Sequence, residues 1–310
     1  MFNRRSFITQ TALAAGALLI DSKWSDAMGA DAPRRLTILH TNDVHSRIDP
    51  FPMDGGRNQG MGGVAARSRL IQEIRAKEDN VLLLDAGDIF QGTPYFNLYR
   101  GEPEIKAMSS MRYDASTIGN HDFDAGLDNL HQQLRQHASF PMIVSNYDFS
   151  GTVMEHLYQP YKIFKKGGLK IGVLGLGIEL VGLVPDNLAG GTKYLDPIVK
   201  ANQYADELKR KNCDLVVCLS HLGYKYRDNK VSDLVLASET NNIDVIIGGH
   251  THTFLDAPVT VKNKKGEDVI VNQVGFAGIQ LGRLDFVFEK KSGKKLGNAG
   301  AIPVSKISDI

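Results

Sequence analysis

The densest cluster of side chains able to bind a metal or transfer a proton lies at residues 119–124, which read Gly-Asn-His-Asp-Phe-Asp. This run places an amide oxygen, an imidazole and two carboxylates within one short segment. Imidazole nitrogens and carboxylate or amide oxygens are donors that Zn, Mn, Fe and Co accept in proteins. Four further runs carry the same donor types, at residues 41–45, 87–88, 220–221 and 249–252. Together the five runs predict a metal site built from distant parts of the chain.

Each of these runs follows a segment with the pattern of a buried strand. Asp43 and His45 are two apart at the exit of the first strand, where extended backbone would turn both side chains to one face. His250 and His252 repeat that spacing after the strand predicted at 245–247. Glycines beside these residues let the backbone approach closely. The spacing shows that the donors could converge in one cleft.

Some of these residues also have a simpler explanation. Asp43, Asp88 and Asn120 are residue types that commonly cap a helix after a strand. His221, His250 and His252 have a structural alternative in the same way. The occurrence of all five runs in one chain favours the metal site over isolated caps.

From residue 35 onwards the sequence alternates between short apolar runs and segments with helical spacing. The early and central strands are predicted at residues 36–40, 81–84, 115–118, 142–145, 215–219 and 245–247. Helices are predicted at residues 63–77, 102–111, 127–137, 197–211 and 231–238. A hairpin with a glycine turn is predicted from 161–164 and 169–176, and late strands at 257–262, 269–274 and 281–288. This order predicts an α/β fold with four layers (αββα), in which two packed mixed β-sheets are flanked by helices.

The composition is that of an ordinary globular chain, with 310 residues of which 42% are hydrophobic and 23% charged. The 36 basic and 35 acidic residues balance, and no long block of one sign predicts a surface for nucleic acid or an anionic membrane. Cys213 and Cys218 are the only cysteines. On one apolar run they would face opposite sides of a strand, which predicts two buried thiols rather than a disulfide.

The N-terminal segment has the order of an export signal. Arg4 and Arg5 precede Phe7 and a weakly apolar run over residues 7–20, which resembles a twin-arginine signal. That run is too short to span a bilayer, which takes about 20 helical residues. We therefore predict a signal peptide at residues 1–32 and a periplasmic or extracellular protein. An uncleaved amphipathic arm is the alternative.

The five runs, in this order, resemble the motifs of the calcineurin-like metallophosphoesterases. The resemblance is to the catalytic domain of the exported 5′-nucleotidase and UDP-sugar hydrolase family. Its motifs have the forms Thr-Asn-Asp-X-His, Gly-Asp, Gly-Asn-His-Asp/Glu-Phe-Asp, Ser-His and Gly-His-X-His. The resemblance implies a metallophosphoesterase catalytic domain at residues 35–290, followed by a tail at 291–310. It also implies hydrolysis of phosphate esters, above all nucleotides, by attack of a metal-bound hydroxide.

The resemblance implies two divalent metal ions, which could be Zn, Mn, Fe or Co. Seven side chains match the family's ligands, and Asp88 is shared by both ions. The first ion is assigned the ligands Asp43, His45, Asp88 and His252. The second ion is assigned the ligands Asp88, Asn120, His221 and His250.

The resemblance also assigns the catalytic residues. His121 matches the family's histidine that stabilises the transition state and the leaving group, and Asp124 matches the carboxylate that orients it. Asp122 stands where the family takes either acid, and we give it a structural role. His40 lies before the first motif and is predicted to be a core histidine, with a supporting role near the metals as the alternative.

Members of this family carry a second domain that selects the nucleotide, whereas this chain ends at Ile310. We therefore leave the substrate-binding residues unassigned and expect a small-molecule phosphoester, with a nucleotide preferred. Two arrangements stay open: a separate polypeptide supplies the second domain, or the domain works alone. A related class of twin-arginine-exported enzymes, which hydrolyses groups bound through sulfur to carrier proteins, is a further alternative. No nucleic-acid partner and no membrane span are expected.

Overall fold

The computed structural model describes residues 33–228, 230–289 and 293–305. The predicted export signal at residues 1–32 lies outside these ranges, as does part of the predicted tail. Within the described ranges, none of the helices is both long and apolar enough to cross a membrane.

Strands and helices alternate along most of the described chain, as the sequence predicts. The strands are β1 (Arg34–Thr41), β2 (Val81–Asp85), β3 (Ala115–Ser116), β4 (Met142–Ile143), β5 (Tyr147–Asp148), β6 (Tyr158–Gln159), β7 (Tyr161–Lys166), β8 (Leu169–Leu176), β9 (Lys193–Tyr194), β10 (Leu215–Ser220), β11 (Val245–Gly248), β12 (Val259–Lys262), β13 (Asp268–Asn272), β14 (Gln280–Glu289) and β15 (Gly293–Pro303). The helices are α1 (Val64–Arg75), α2 (Pro94–Tyr99), α3 (Glu102–Ser110), α4 (Leu127–His137), α5 (Asp186–Ala189), α6 (Pro197–Arg210) and α7 (Asp233–Glu239). A 3₁₀ turn covers His121–Phe123.

In the described part of the chain, the strands form two large mixed sheets and a short pairing of β5 with β9. The first sheet has the order β15-β14-β1-β2-β3-β4-β6, and the second has the order β12-β13-β11-β10-β8-β7. The strands β1 to β4 run parallel to one another, and so do β8, β10, β11 and β13. Parallel strands end on the same side of a sheet, so their following loops gather at one edge.

The two sheets pack face to face with helices outside them. Leu82 and Leu84 of β2 point between the sheets and share a core with Val217 of β10. Leu83 points the other way, into a core that includes Ile71 of α1. On the far face of the second sheet, the core contains Val216, Cys218, Ala205, Leu208 and Leu236. These alternating faces confirm the predicted four-layer αββα fold.

Local sequence explains why the elements begin and end where they do. All residues of β2 are buried, as expected for a parallel strand that is covered on both faces. The helix α6 begins at Pro197 directly after Asp196, whose carboxylate accepts hydrogen bonds from the amides of Ile198 and Val199. Asp196 thereby satisfies two amide groups that have no partner within the helix.

The sequence prediction did not include β5, β6, β9, β15, α2 or α5. The residues of β15 lie in the predicted tail at 291–310, but they pair antiparallel with β14 and extend the first sheet. The helix α2 was not predicted, because Pro94 reads as a turn, although proline is well tolerated in the first turn of a helix. Cys213 and Cys218 are both buried and unlinked, as predicted. The expectation that they face opposite sides of a strand is wrong, because β10 begins at Leu215 and both thiols lie in the same core.

Candidate metal centre

The loops that follow β1 and β2 run side by side. The backbone N–H of Asp43 donates to the carbonyl oxygen of Gly87 at 2.9 Å, and that of His45 donates to the carbonyl oxygen of Asp88 at 3.1 Å. From the second sheet, the N–H of His250 donates to the two carboxylate oxygens of Asp43 at 2.9 and 3.0 Å. The predicted runs therefore meet across the edge where the two sheets face each other.

The backbone of this centre is left-handed at five predicted ligands, with φ values from 50° to 70°. These residues are Asp43, His45, Asp88, His250 and His252. Left-handed backbone is uncommon outside glycine and clusters at functional sites, where surrounding contacts hold it in place. The expectation that the first two share a face of extended backbone is wrong, because β1 ends at Thr41 before them.

Two compact groups contain most of the predicted ligands. The group that we call the outer group consists of Asp43, His45 and His252. The group that we call the inner group consists of Asp88, His221 and His250. Within each group the candidate ligand atoms lie within 4.8 Å of one another. Asn120 lies beside the inner group, since its Oδ1 is 2.8 Å from Nδ1 of His250.

Asp88 lies between the two groups. Its Oδ2 is 3.0 Å from Nε2 of His221, in the inner group, and 3.8 Å from Nε2 of His45, in the outer group. Its Oδ1 accepts a hydrogen bond from the backbone N–H of His121 at 2.8 Å. A carboxylate oxygen with histidine nitrogens on both sides occupies the position from which one side chain can contact two metal ions.

Backbone carbonyl groups fix which ring nitrogen of two histidines faces the centre. Nδ1 of His221 lies 2.7 Å from the carbonyl oxygen of Ala86, and Nδ1 of His45 lies 3.1 Å from that of Phe90. With hydrogen on Nδ1, the Nε2 lone pairs face inward. The lone pair of His45 then faces Nε2 of His252 at 2.9 Å, and that of His221 faces the shared carboxylate. A cation placed among these lone pairs and the carboxylate would be bound by all of them, so the donor set fits divalent metal ions.

The electrostatics of the inner group agree with this fit. Burial acts to lower the pKa of His221, but the carboxylates of Asp88 and Asp43 outweigh it and raise that pKa to about 10. Burial and the neighbouring His221 lower the pKa of His250 to about 4, because both disfavour a second positive charge. The carboxylates thus require one concentrated positive charge beside them, which a bound divalent ion supplies in place of a proton.

Asp122 fastens the loops that carry these ligands. Its carboxylate accepts hydrogen bonds from the backbone N–H groups of Asp88, Ile89, Phe90 and Gly119 at distances of 2.8 to 3.1 Å. Burial raises the pKa of Asp122 to about 7, and the nearby charge of Asp88 acts in the same direction. The side chain therefore joins the loops after β2 and β3, as its predicted structural role requires.

His121 and Asp124 form a hydrogen-bonded pair beside the outer group. Nδ1 of His121 lies 2.8 Å from Oδ2 of Asp124, and the His121 ring centroid lies 5.3 Å from that of His45. The hydrogen bond to Asp124 raises the pKa of His121, burial opposes this rise, and the charge of Asp88 adds to it. The His121 side chain is 41% exposed, so its ring is open to solvent.

Two buried amides that the sequence prediction missed brace the ligand loops. Nδ2 of Asn42 donates to Oδ2 of Asp43 at 2.6 Å, which fixes that carboxylate. The amide of Gln273 donates to the carbonyl oxygen of Gly249 and accepts from the N–H of Thr253, at the two ends of the loop that carries the second histidine pair. Asn42 could have been found from the sequence, because it lies inside a motif. Gln273 could not, because its contacts join it to residues 24 and 20 positions away.

His40 is a neutral histidine of the core. It has no exposed surface, and its Nε2 lies 2.8 Å from Nδ2 of Asn272. Burial lowers the pKa of His40 to about 3. This agrees with the prediction of a core histidine.

Carboxylates and histidines gathered where strands of two packed sheets end are the arrangement of a metal-dependent hydrolase. The family model described as calcineurin-like phosphoesterase matches residues 36–254 of this chain. The chain belongs to this family. The family implies divalent metals, for which the inner and outer groups are candidate sites.

Several proteins similar to this chain are 5′-nucleotidases. The snake venom 5′-nucleotidase of Crotalus adamanteus is 36% identical over 284 residues, an alignment that covers 85% of this chain and 47% of that protein. The 5′-nucleotidase of Vibrio parahaemolyticus is 35% identical over 309 residues, covering 91% and 54%. The solved 5′-nucleotidase precursor of Thermus thermophilus has a TM-score of 0.79 and 34% identity, covering 87% of this chain and 55% of that one. The chain thus spans about half the length of these relatives.

Proposed function

We propose that this protein is a dinuclear metal-dependent phosphoesterase that hydrolyses nucleotides, as a 5′-nucleotidase does. The observation that carries the proposal is the position of Asp88, whose Oδ2 lies between histidine nitrogens of the inner and outer groups. The similarity to several 5′-nucleotidases supports a nucleotide substrate and a place in nucleotide breakdown.

The proposal divides the ligands between two ions as the sequence resemblance does. One ion takes the outer group, Asp43, His45 and His252, together with Asp88. The other takes the inner group, Asp88, His221 and His250, together with Asn120. When bound, such a pair of ions neutralises phosphoryl oxygens and lowers the pKa of water towards 7. Imidazole and carboxylate ligands accept Zn, Mn, Fe or Co, so the identity of the ions is open.

His121 is the proposed general acid of the reaction. Its Nδ1–H donates to Asp124, so the other nitrogen holds the proton that the departing alkoxide takes up. The hydrogen bond to Asp124 raises the pKa of His121, which favours the imidazolium form. Asp124 orients the ring and stabilises its charge without contacting the reacting atoms.

Replacing His121 tests this assignment. The substitution His121→Asn should lower the turnover of adenosine 5′-monophosphate by about a hundredfold or more, because general acid catalysis contributes that much. Metal content, measured by elemental analysis, should stay at the wild-type value. The substitution His131→Asn, on α4, is the matched control and should change neither quantity. Retention of full turnover by His121→Asn would show that the proton comes from elsewhere.

A substrate panel tests the proposed activity itself. After chelation and reconstitution with each divalent ion, the protein should hydrolyse nucleoside monophosphates faster than cyclic nucleotides, UDP-sugars or simple phosphomonoesters. Binding of two ions without turnover of any of these phosphoesters would instead favour the alternative, a sulfur-carrier hydrolase. The predicted separate substrate-binding chain gains no support from the comparisons.

We also propose that the protein is exported through its twin-arginine segment. The order of Arg4, Arg5 and Phe7 before a weakly apolar run supports this proposal. Fractionation of cells that carry the wild type or a variant with both arginines replaced by lysine tests it. The wild type should be found outside the cytoplasm and the variant inside it, and equal export of both would contradict the proposal.

A further inference from the structure

A continuous row of aromatic rings leads away from the outer group. The His252 imidazole stacks on the ring of Phe276, with centroids 5.2 Å apart and an angle of 13° between the ring planes. Phe276 in turn meets Phe254 edge to face, with centroids 6.0 Å apart. The row therefore begins at a candidate metal ligand and ends at a phenyl ring 42% exposed to solvent. We call Phe254 and Phe276 the aromatic shelf.

The shelf is held rigidly in place. A side-chain carbon at Gly275 would lie 2.1 Å from the ring of Phe254, so the absence of one lets the phenyl ring lie against the backbone. Gly275 also has a φ of 71°, which favours glycine. The amide of Asn42 donates to the carbonyl oxygen of Gly275 at 2.6 Å, and the N–H of Ala277 donates to the carbonyl oxygen of Asp43 at 2.7 Å. The loop that presents the shelf is thus tied to the loop that carries outer-group ligands.

A rigid, exposed aromatic ring beside a catalytic centre has a chemical use. Most large apolar side chains of the described chain are buried, so the exposure of Phe254 is unexplained by the core. Planar rings stack on aromatic side chains, and this stacking tolerates different ring types. We infer that the aromatic shelf binds a planar heteroaromatic ring, such as a nucleobase, carried by the leaving group of the phosphoester. This inference rests on the proposed function and names the part of the substrate that the chain itself selects.

Two substrates that differ only in the base test the inference. Adenosine 5′-monophosphate and ribose 5-phosphate carry the same phosphoester, but only the first has a ring that could stack on Phe254. The substitution Phe254→Ala should lower kcat/KM for adenosine 5′-monophosphate by about tenfold, the usual size of one base–aromatic stack. For ribose 5-phosphate it should change kcat/KM by less than about twofold, because that substrate makes no such stack.

Two further variants separate stacking from a structural effect. Phe254→Trp keeps an aromatic face and should retain the wild-type preference for the base. Leu98→Ala removes another apolar side chain, 72% exposed on α2, and should leave both substrates unaffected. Equal loss on the two substrates in Phe254→Ala, or no loss on either, would overturn the inference.

A binding measurement keeps the test independent of catalysis. In the His121→Asn background, calorimetric titration with adenosine 5′-monophosphate should show about tenfold weaker binding when Phe254→Ala is added. Binding of ribose 5-phosphate should stay the same. This comparison is informative even when the wild type hydrolyses neither ester, so failure of the shelf and failure of the proposed function give different results. Unchanged binding of the nucleotide would contradict the shelf.

Discussion

The outer and inner groups contain the same types of candidate ligand but differ in how exposed their histidines are. In the inner group, the side chains of His221 and Asp88 are 0% and 1% exposed. In the outer group, the side chain of His252 is 41% exposed. The candidate outer site is therefore more open to solvent at its histidine than the candidate inner site.

Burial makes the charges of the inner group depend on one another. Water screens Asp88 and His221 poorly, so loss of either one leaves an unpaired charge in a medium of low dielectric. Near the exposed His252, a water molecule can take over part of the lost coordination. Replacing a histidine by alanine should therefore be more severe in the inner group than in the outer group.

The largest effect should come from the residue that joins the groups. The substitution Asp88→Asn should abolish binding of both ions and lower phosphoesterase turnover by about a thousandfold or more, since metal ions contribute several kcal/mol to such transition states. Elemental analysis and turnover measure the two effects. Asp268→Asn, which removes a surface carboxylate 60% exposed, is the control and should change neither. Wild-type metal content in Asp88→Asn would contradict the shared position.

Metal release should distinguish the two groups. Mixing the loaded protein with a chromophoric chelator should give two phases, with the outer ion leaving about tenfold faster than the inner ion, because second contacts hold buried ligands more firmly. His252→Ala should remove the fast phase and keep the slow one. His221→Ala should lose the slow phase and unfold at a lower temperature than His252→Ala. A single phase of metal release, made equally faster by both substitutions, would show that the two groups do not hold their ions differently.

A smaller effect is expected at His40, which is fully buried like His221. The carboxylates around His221 raise its pKa to about 10, whereas burial alone lowers that of His40 to about 3. The unfolded chain binds a proton at His40 below pH 6.5, and the folded chain does not until about pH 3. The contribution of His40 to the free energy of unfolding is therefore fully present above pH 6.5. Below that pH the free energy of unfolding falls by up to about 1.4 kcal/mol per pH unit.

The substitution His40→Gln checks this linkage. It removes the titrating group while keeping a side chain that can accept the hydrogen bond from Asn272. The free energy of unfolding, measured with urea between pH 4 and pH 8, should fall less steeply in the variant than in the wild type on the acid side. Above pH 7 the two proteins should differ by a constant amount. Parallel curves across the whole range would show that folding does not lower the pKa of His40.

Much of the fold could be predicted because its signals are local. The helix predicted at 127–137 has the bounds of α4, since its apolar residues repeat at helical spacing. The strand β2 is a continuous apolar run and was also predicted. The strand β15 was missed, because its glycines, lysines and asparagine show no apolar alternation and its pairing partner is β14.

The candidate site shows where sequence reasoning stops. The donor types were visible in the five runs, but their spacing could not show that the runs meet, and the division between two ions came from the family resemblance. The left-handed backbone at Asp43 and His250 arises from hydrogen bonds between segments far apart in the chain. Gln273 and Phe276 belong to no motif and act only through such contacts.

Anomalous diffraction from crystals grown with Mn²⁺ would show whether Asp88 is shared by two ions. We expect two peaks per chain, one beside His45 and His252 and the other beside His221 and His250, with the Asp88 carboxylate in contact with both. A single peak, or two peaks of which only one touches Asp88, would contradict the dinuclear centre proposed here.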